Sequence, residues 1–216
     1  MDAGDDRRKY GFARTGERAV VAKRITMTQA GLSLALVILL SRPFLAQSPY
    51  NQQFAEAERR IVRLAPTDFP EIPGNVVREL KRRGCTIPQE VFTKKRNNVI
   101  QGEFARQGQK DLAVLCSVKG VSTILVFWGK SERKPAALAP VEDSVFLQGL
   151  GDGKIGFSRG ISPMGKDAIL RQCRTKEEPL PPFRLIHQGL DDGFVGKASQ
   201  TFYFHKGKWL TVTGAD

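Results

Sequence analysis

The stretch that decides the fold reads Asp111-Leu-Ala-Val-Leu-Cys-Ser-Val118, then Lys119-Gly120, then Val121-Ser-Thr-Ile-Leu-Val-Phe-Trp128. Both flanking segments are largely apolar, and Lys119-Gly120 between them is typical of a tight turn between two strands. Strands as apolar as these are expected to be covered on both faces. The stretch therefore predicts two central antiparallel strands with another layer packed on each side.

β-like patterns continue on both sides of this hairpin, separated by turns that contain glycine and proline. We expect further strands over Val99–Phe104, Ser144–Gln148, Lys154–Ser158, Ser199–His205 and Lys208–Thr213. We also expect a polar loop over Ser131–Pro140, a short helix within residues 164–173 and another helix over Leu190–Ala198.

Two helices are predicted ahead of the strands. In Ser48–Arg63 the apolar residues recur at nearly helical spacing. In Pro73–Arg83, Pro73 suits the first helical position and Gly84 suits the position after the last turn. The predicted fold class is therefore α+β, with N-terminal helices packed on a mainly antiparallel β-sheet in a single compact domain.

The N-terminal residues are typical of an export signal. Residues 30–40 form an apolar run that seven basic residues precede. The run has the length of a signal-peptide core and is shorter than the roughly 20 residues that span a bilayer. We predict a signal peptide over residues 1–46, cut after Ala46, and an exported domain, periplasmic or extracellular, over residues 47–216. The alternatives are an uncleaved inner-membrane anchor over residues 25–45 and a buried core helix.

Length and charge exclude several classes of protein. The chain has 216 residues, with 34 Lys and Arg against 22 Asp and Glu, a net charge of +12. Complete β-propellers and (β/α)8 barrels need roughly 250 residues or more, so neither fits. Residues 47–216 keep 26 basic and 18 acidic residues, a balance that would suggest nucleic acid for a cytosolic protein. Because the signal indicates export, and no aromatic residues are interleaved with the basic ones, we expect no nucleic-acid partner.

The three cysteines predict one disulfide. In an exported protein two of them are expected to pair and the third to stay reduced. Cys85 follows a predicted helix and Cys116 lies in a central strand, so we prefer Cys85–Cys116; pairings with Cys173 stay open. The leftover thiol is expected to be buried and inert, because no local motif pairs a cysteine with His187 or His205.

Residues 99–128 contain Gly102-Glu103-Phe104, a polar turn and then Asp111-Leu-Ala-Val. This segment resembles a single degenerate FG-GAP repeat, the blade motif of integrin-α-like propellers. The resemblance implies a turn that could bind calcium through oxygens of Glu103, Gln107 and Asp111. Basic residues lie within the turn, whereas calcium favours net negative charge, so we expect no metal and no cofactor.

The chain as a whole resembles a family of uncharacterised exported bacterial proteins. The resemblance rests on Gly84-Cys-Thr-Ile-Pro-Gln89, Leu115-Cys-Ser117 and Trp209-Leu-Thr-Val-Thr-Gly-Ala-Asp216. It implies export and supplies no activity.

Basic residues cluster in two runs, one on the second predicted helix and one after it. Together they comprise Arg78, Lys81, Arg82, Arg83, Lys94, Lys95 and Arg96. The runs are either solvated surface or a patch for an anionic envelope surface, such as phospholipid head groups or an acidic polymer.

The acidic residues form no recognised catalytic motif. Glu142-Asp143 and Glu177-Glu178 are expected in loops, without the apolar setting that raises a carboxyl pKa. Asp191-Asp192 is expected to begin or cap a helix, and its spacing from His187 and His205 fits no zinc motif.

These observations favour a non-catalytic exported binding or interaction domain. Its expected partner is an envelope protein or an anionic envelope polymer, with membrane contact only through an uncleaved N-terminal segment. The alternatives are an envelope hydrolase with an unrecognised site and a cationic module that adheres to anionic envelope surfaces.

Overall fold

The computed structural model describes residues 49–214, so the predicted signal or anchor within residues 1–46 lies outside the described residues. The helices in that part are α1 (Pro49–Arg59), α2 (Gly74–Arg82) and α3 (Lys166–Thr175). The strands are β1 (Arg63–Leu64), β2 (Ile87–Pro88), β3 (Val99–Gly102), β4 (Asp111–Val118), β5 (Val121–Phe127), β6 (Ala136–Glu142), β7 (Leu147–Gly151), β8 (Lys154–Phe157), β9 (Arg159–Met164), β10 (Gly189–Phe194), β11 (Ala198–His205) and β12 (Lys208–Thr213). Helices combined with antiparallel sheets confirm the α+β class.

The strands form two larger sheets and two small ones. The central sheet has the order β3-β4-β5-β6, the outer sheet has the order β12-β11-β10-β9, and β1-β2 and β7-β8 are two-stranded. The predicted hairpin is confirmed: β4 pairs with β5 as far as Val118 and Val121, and Lys119 and Gly120 both have positive φ. A turn with two positive φ values matches the right-handed twist of the strands that it joins.

The central sheet is covered on both faces, as the apolar runs predict. Side chains alternate between the faces of a strand. On one face Leu112 lies in a buried cluster with Val76 and Leu80 of α2. On the other face Leu115 lies in a buried cluster with Leu190 of the outer sheet. The hairpin therefore separates a helix layer from a second sheet.

The end of α2 brings two cysteines together. Gly84, at φ 72°, allows its own N–H to donate to the carbonyl of Lys81 and the N–H of Cys85 to donate to that of Leu80. This pair of hydrogen bonds is a Schellman cap, which turns the chain sharply after the helix. Cys85 then forms a disulfide with Cys116 of β4 across a Cα–Cα distance of 5.3 Å. The preferred pairing is the one found.

The third cysteine lies in α3. Cys173 is free and buried, in a cluster with Ile169 and Tyr203. Burial is the largest of the effects that raise the pKa of its thiol. The thiol therefore stays protonated at neutral pH, and protonation with burial keeps a cysteine unreactive.

Three segments differ from the sequence expectation. Ser144–Gln148, predicted as a strand, begins within a 3-10 helix over Asp143–Phe146, and β7 starts only at Leu147. Leu190–Ala198, predicted as a helix, forms β10 and the turn into β11. Leu190 and Phe194 are spaced for one helical face, but the same even spacing suits one face of a strand, and Gly193 weakens a helix. The predicted loop Ser131–Pro140 contains the start of β6. This strand lies at the edge of its sheet and its pairing is irregular, and both features allow a strand to contain a proline.

A buried arginine joins the two larger sheets. Arg159 of β9 is fully buried, and its guanidinium donates to both carboxylate oxygens of Asp192 on β10, at 2.9 and 2.8 Å. It also donates to the carbonyls of Ser122 and Ala139 in the central sheet, at 2.8 and 2.6 Å. The register of β5 and β6 shifts at this point, and Ala139 has a φ of 46°. The irregularity leaves two carbonyls that the guanidinium satisfies.

An asparagine forms a second connection to the outer sheet. Asn98, at φ 66°, is buried just before β3. Its side-chain amide donates to the carbonyls of Pro88 and Arg159, and its side-chain oxygen accepts from the N–H of Ile161. The carboxamide thus acts as a peptide group between β2 and β9, and asparagine is one of the few residues that tolerate this backbone conformation.

Candidate binding cleft at Asp191

A cleft of about 460 Å³ opens on the outer sheet. Its floor is the cross-strand pair Gly160 of β9 and Gly193 of β10. Leu190 faces the core, so Asp191 and Gly193, at odd positions of the same strand, face away from it. A Cβ on Gly193 would lie 3.6 Å from the Gly160 carbonyl and 3.8 Å from Asp191 Oδ2. The two glycines therefore leave open the space beside the Asp191 carboxyl.

The walls of the cleft come from two parts of the chain. Asp191 and Ser199 lie on β10 and β11, whereas Glu90 and Asn97 belong to the loop between β2 and β3. The Glu90 carboxylate accepts hydrogen bonds from the N–H groups of Phe92 and Thr93. Asn97 accepts from the Glu90 N–H at 3.0 Å. These bonds hold the loop wall in place and engage the Glu90 carboxylate.

Asp191 is the chemically distinctive group of the cleft. Burial raises its pKa, hydrogen bonds from Thr201 and Ser199 partly offset that effect, and the neighbouring Asp192 raises it further. The Thr201 hydroxyl donates to Oδ1 at 2.8 Å. Within residues 49–214 Asp191 forms no ion pair, because Arg159 lies on the opposite face with Asp192. A cation that binds beside an unpaired, partly buried carboxylate strongly stabilises the charged form of that carboxylate.

The pH dependence of stability tests this environment. A carboxyl with a raised pKa binds protons more tightly in the folded state, so it makes stability fall as pH rises from the unfolded value of 3.8 through the folded one. We expect Asp191→Asn to gain stability relative to wild type between about pH 3 and pH 7. Urea unfolding at both pH values measures this gain. Asp152→Asn, in the exposed β7–β8 turn, is the control; an equal gain there, or none for Asp191→Asn, would contradict the interpretation.

The residues predicted from the FG-GAP resemblance lie elsewhere. Asp111 is buried at the start of β4, where Oδ2 accepts from the N–H groups of Phe104 and Ala105, at 3.0 and 2.9 Å. Its Oδ1 accepts from the Gly129 N–H and the Gln109 amide. All these donors are protein groups, so the carboxylate supports the turn.

The other two residues of that predicted set are at the surface. Glu103 lies 3.5 Å from Lys110, and Gln107 is exposed. No group of three histidine, cysteine or acidic side chains is placed to hold a metal ion within the described range 49–214.

The structure divides the predicted basic patch. At the end of α2, Arg82 and the following Arg83 both pair with Glu79, and their hydrogen bonds lower the pKa of Glu79 to about 2. Arg96 hydrogen-bonds the Asp68 carbonyl and lies over the Phe69 ring. All seven patch residues are exposed, and the remaining four form no ion pair among residues 49–214: Arg78, Lys81, Lys94 and Lys95.

Several other residues also depart from expectation. Asp191 and Asp192 do not cap a helix but point to opposite faces of β10. Asp143 is buried and accepts hydrogen bonds from Arg63 and Ser117, at 2.7 and 2.6 Å. His205, in contrast, ends β11 as the predicted strand over Ser199–His205 requires, and its ring stacks on Phe183.

Sequence reasoning missed the cleft because its parts are distant along the chain. Gly160 and Gly193 become neighbours only through strand pairing, and the sequence pattern predicts Asp191 at a helix end. Residues 189–194 show no clean alternation that would predict a strand, because Asp192 shares the core-facing side with Leu190 and Phe194.

Comparisons with known proteins supply no relative. No family model, curated protein or solved structure matches the chain. Among residues 49–214 no helix is long and apolar enough to cross a membrane.

Proposed function

We propose that residues 47–216 form an exported, non-catalytic binding domain of the bacterial envelope. Residues 1–46 direct export, and the cleft at Asp191 takes a cationic side chain of an envelope protein. The observation that carries the proposal is the partly buried Asp191 carboxyl beside an open glycine floor. Among residues 49–214 this carboxyl forms no ion pair, and the ammonium group of Lys197, which also lines the cleft, lies over the Phe194 ring.

The composition of the cleft supports binding. The second carboxylate, Glu90, is engaged by backbone N–H groups of its own loop. Hydrolysis by two carboxylates requires both to reach the substrate, one as an acid and one as a base or nucleophile. Asp191 with hydroxyls and an amide around it suits recognition of an ammonium or guanidinium group.

The disulfide supports the exported location. Disulfides persist in oxidising compartments outside the cytoplasm and are rare inside it. Cys85 and Cys116 are both buried and bonded to each other, so the pair contributes to the fold itself. An exported domain of this kind would keep the bridge throughout its life.

A titration with a capped lysine tests the ligand class. We expect N-acetyl-lysine methylamide to shift the amide NMR signals of Gly160, Asp191 and Gly193. The matched norleucine compound, which lacks the ammonium group, should leave them unchanged. Asp191→Asn should weaken lysine binding at least about tenfold, because it removes a charge-assisted hydrogen bond.

The control variant is Asp152→Asn, which changes the same charge on an exposed turn. It should bind the lysine compound as wild type does. Equal binding of the norleucine compound, or an unchanged affinity in Asp191→Asn, would overturn the proposed ligand class.

A further inference from the structure

The loop that forms one wall of the cleft also exposes apolar side chains to solvent. Phe92 is 54% exposed and Val91 is 46% exposed, although both are large hydrophobic residues. Leu150, from the β7–β8 hairpin, is 39% exposed. A Cβ built on Gly156 would meet Leu150 at 2.8 Å and Val91 at 2.9 Å. These side chains therefore meet over Gly156, and together with Phe92 we name them the apolar tip (Val91, Phe92 and Leu150).

Cations adjoin the apolar tip. Lys94 and Lys95 follow Phe92 directly in the loop and are exposed. Neither forms an ion pair with any residue of the described range 49–214, in contrast to Arg82 and Arg83 at the end of α2. Two unpaired lysines beside an exposed phenylalanine combine the features that hold proteins at anionic bilayer surfaces.

The base of the loop is held by its own side chains. The Gln89 amide donates to the carbonyls of Ile87 and Asn97, and its oxygen accepts from the Asn97 N–H. Glu90 accepts from the N–H groups of Phe92 and Thr93. Backbone N–H groups near the tip are thus already hydrogen-bonded, which lowers the cost of placing the tip among lipid head groups.

We infer that the apolar tip and Lys94–Lys95 form a docking site for an anionic phospholipid surface. Phe92 enters the head-group region, while the two ammonium groups contact lipid phosphates. This surface is separate from the carboxyl of Asp191, so it can act whether or not the cleft binds a cationic ligand.

Co-sedimentation with lipid vesicles tests the inference. The protein, as purified from cells that express it, is mixed with vesicles of phosphatidylcholine alone or with phosphatidylglycerol added. We expect binding to rise with phosphatidylglycerol and to fall as salt is added. Lys94→Glu with Lys95→Glu should weaken binding to the anionic vesicles at least about tenfold. Phe92→Ala should weaken it about tenfold, because the ring no longer enters the lipid.

Control variants distinguish an effect of this loop from an effect of the net charge of the protein. Lys206→Glu with Lys208→Glu makes the same change in net charge on the exposed β11–β12 turn and should bind as wild type does. Phe92→Trp should retain binding, which shows that position 92 tolerates change. All variants share the same N-terminal residues, so any binding through those is common to every arm.

Three outcomes would overturn the inference. One is unchanged binding in Lys94→Glu with Lys95→Glu. Another is an equal loss in the Lys206→Glu, Lys208→Glu control, which would indicate net charge alone. The third is unchanged binding in Phe92→Ala, which would indicate attraction to acidic polymers in general without entry into a bilayer.

Discussion

Arg159→Met is expected to lower the free energy of unfolding by about 3–5 kcal/mol. The substitution leaves the Asp192 carboxylate buried without its partner, and it leaves the carbonyls of Ser122 and Ala139 without a donor. A buried charge that loses its partner costs more than the pair itself contributes. Urea unfolding followed by circular dichroism measures the loss.

Two further variants show which interactions account for that loss of stability. Arg171→Met changes an exposed arginine of α3 and should alter stability by no more than about 0.5 kcal/mol. Adding Asp192→Leu to Arg159→Met removes the orphaned carboxylate and should recover part of the loss, but not all, because the two carbonyls stay unsatisfied. A loss below about 1 kcal/mol in Arg159→Met would contradict the role assigned to the guanidinium.

Removal of the disulfide is expected to cost about 3–4 kcal/mol. The bridge spans a sequence separation of 31 residues, which include the β3–β4 region and the cleft-wall loop, and its loss frees that segment in the unfolded chain. Cys85→Ala with Cys116→Ala should therefore unfold at lower urea than wild type. Dithiothreitol should destabilise wild type by a similar amount and should leave the double variant unchanged.

The intact mass of the unreduced protein tests the disulfide and the predicted cleavage independently. It should lack two hydrogens relative to the reduced form and begin at Gln47 if the signal is cut after Ala46. A mass without that deficit, or an equal response of the double variant to dithiothreitol, would contradict the bridge. A mass matching the full chain would contradict the predicted cleavage.

Local sequence signals predicted the elements whose structure depends on neighbours along the chain. The β4–β5 hairpin follows from apolar runs and a Lys119-Gly120 turn. Gly84 predicts the end of α2. Cys85 comes directly after that end, which favours its pairing with Cys116 in the central strand. In each case a short motif determines the local geometry, so a single sequence is enough to predict that geometry.

The missed features depend on pairing between distant strands. Arg159 faces the core at a position where strand alternation predicts an apolar residue. Its burial depends on hydrogen bonds to carbonyls that the register shift between β5 and β6 leaves free. The cleft needs Gly160 and Gly193 side by side, which the register of β9 and β10 determines. Such pairings follow from the packing of whole sheets, which no local spacing encodes.

The carboxamide of Asn98 has a consequence for how the domain comes apart. The carbonyl of the same residue accepts a hydrogen bond from the Leu115 N–H in the central sheet, while its carboxamide bonds to Arg159 and Ile161 of the outer sheet. Neither sheet can detach without breaking hydrogen bonds that the other needs. We therefore expect the two sheets to behave as one cooperative unit, whose most protected amides, those of Ile161 and Leu115 included, exchange with solvent only when the whole structure opens.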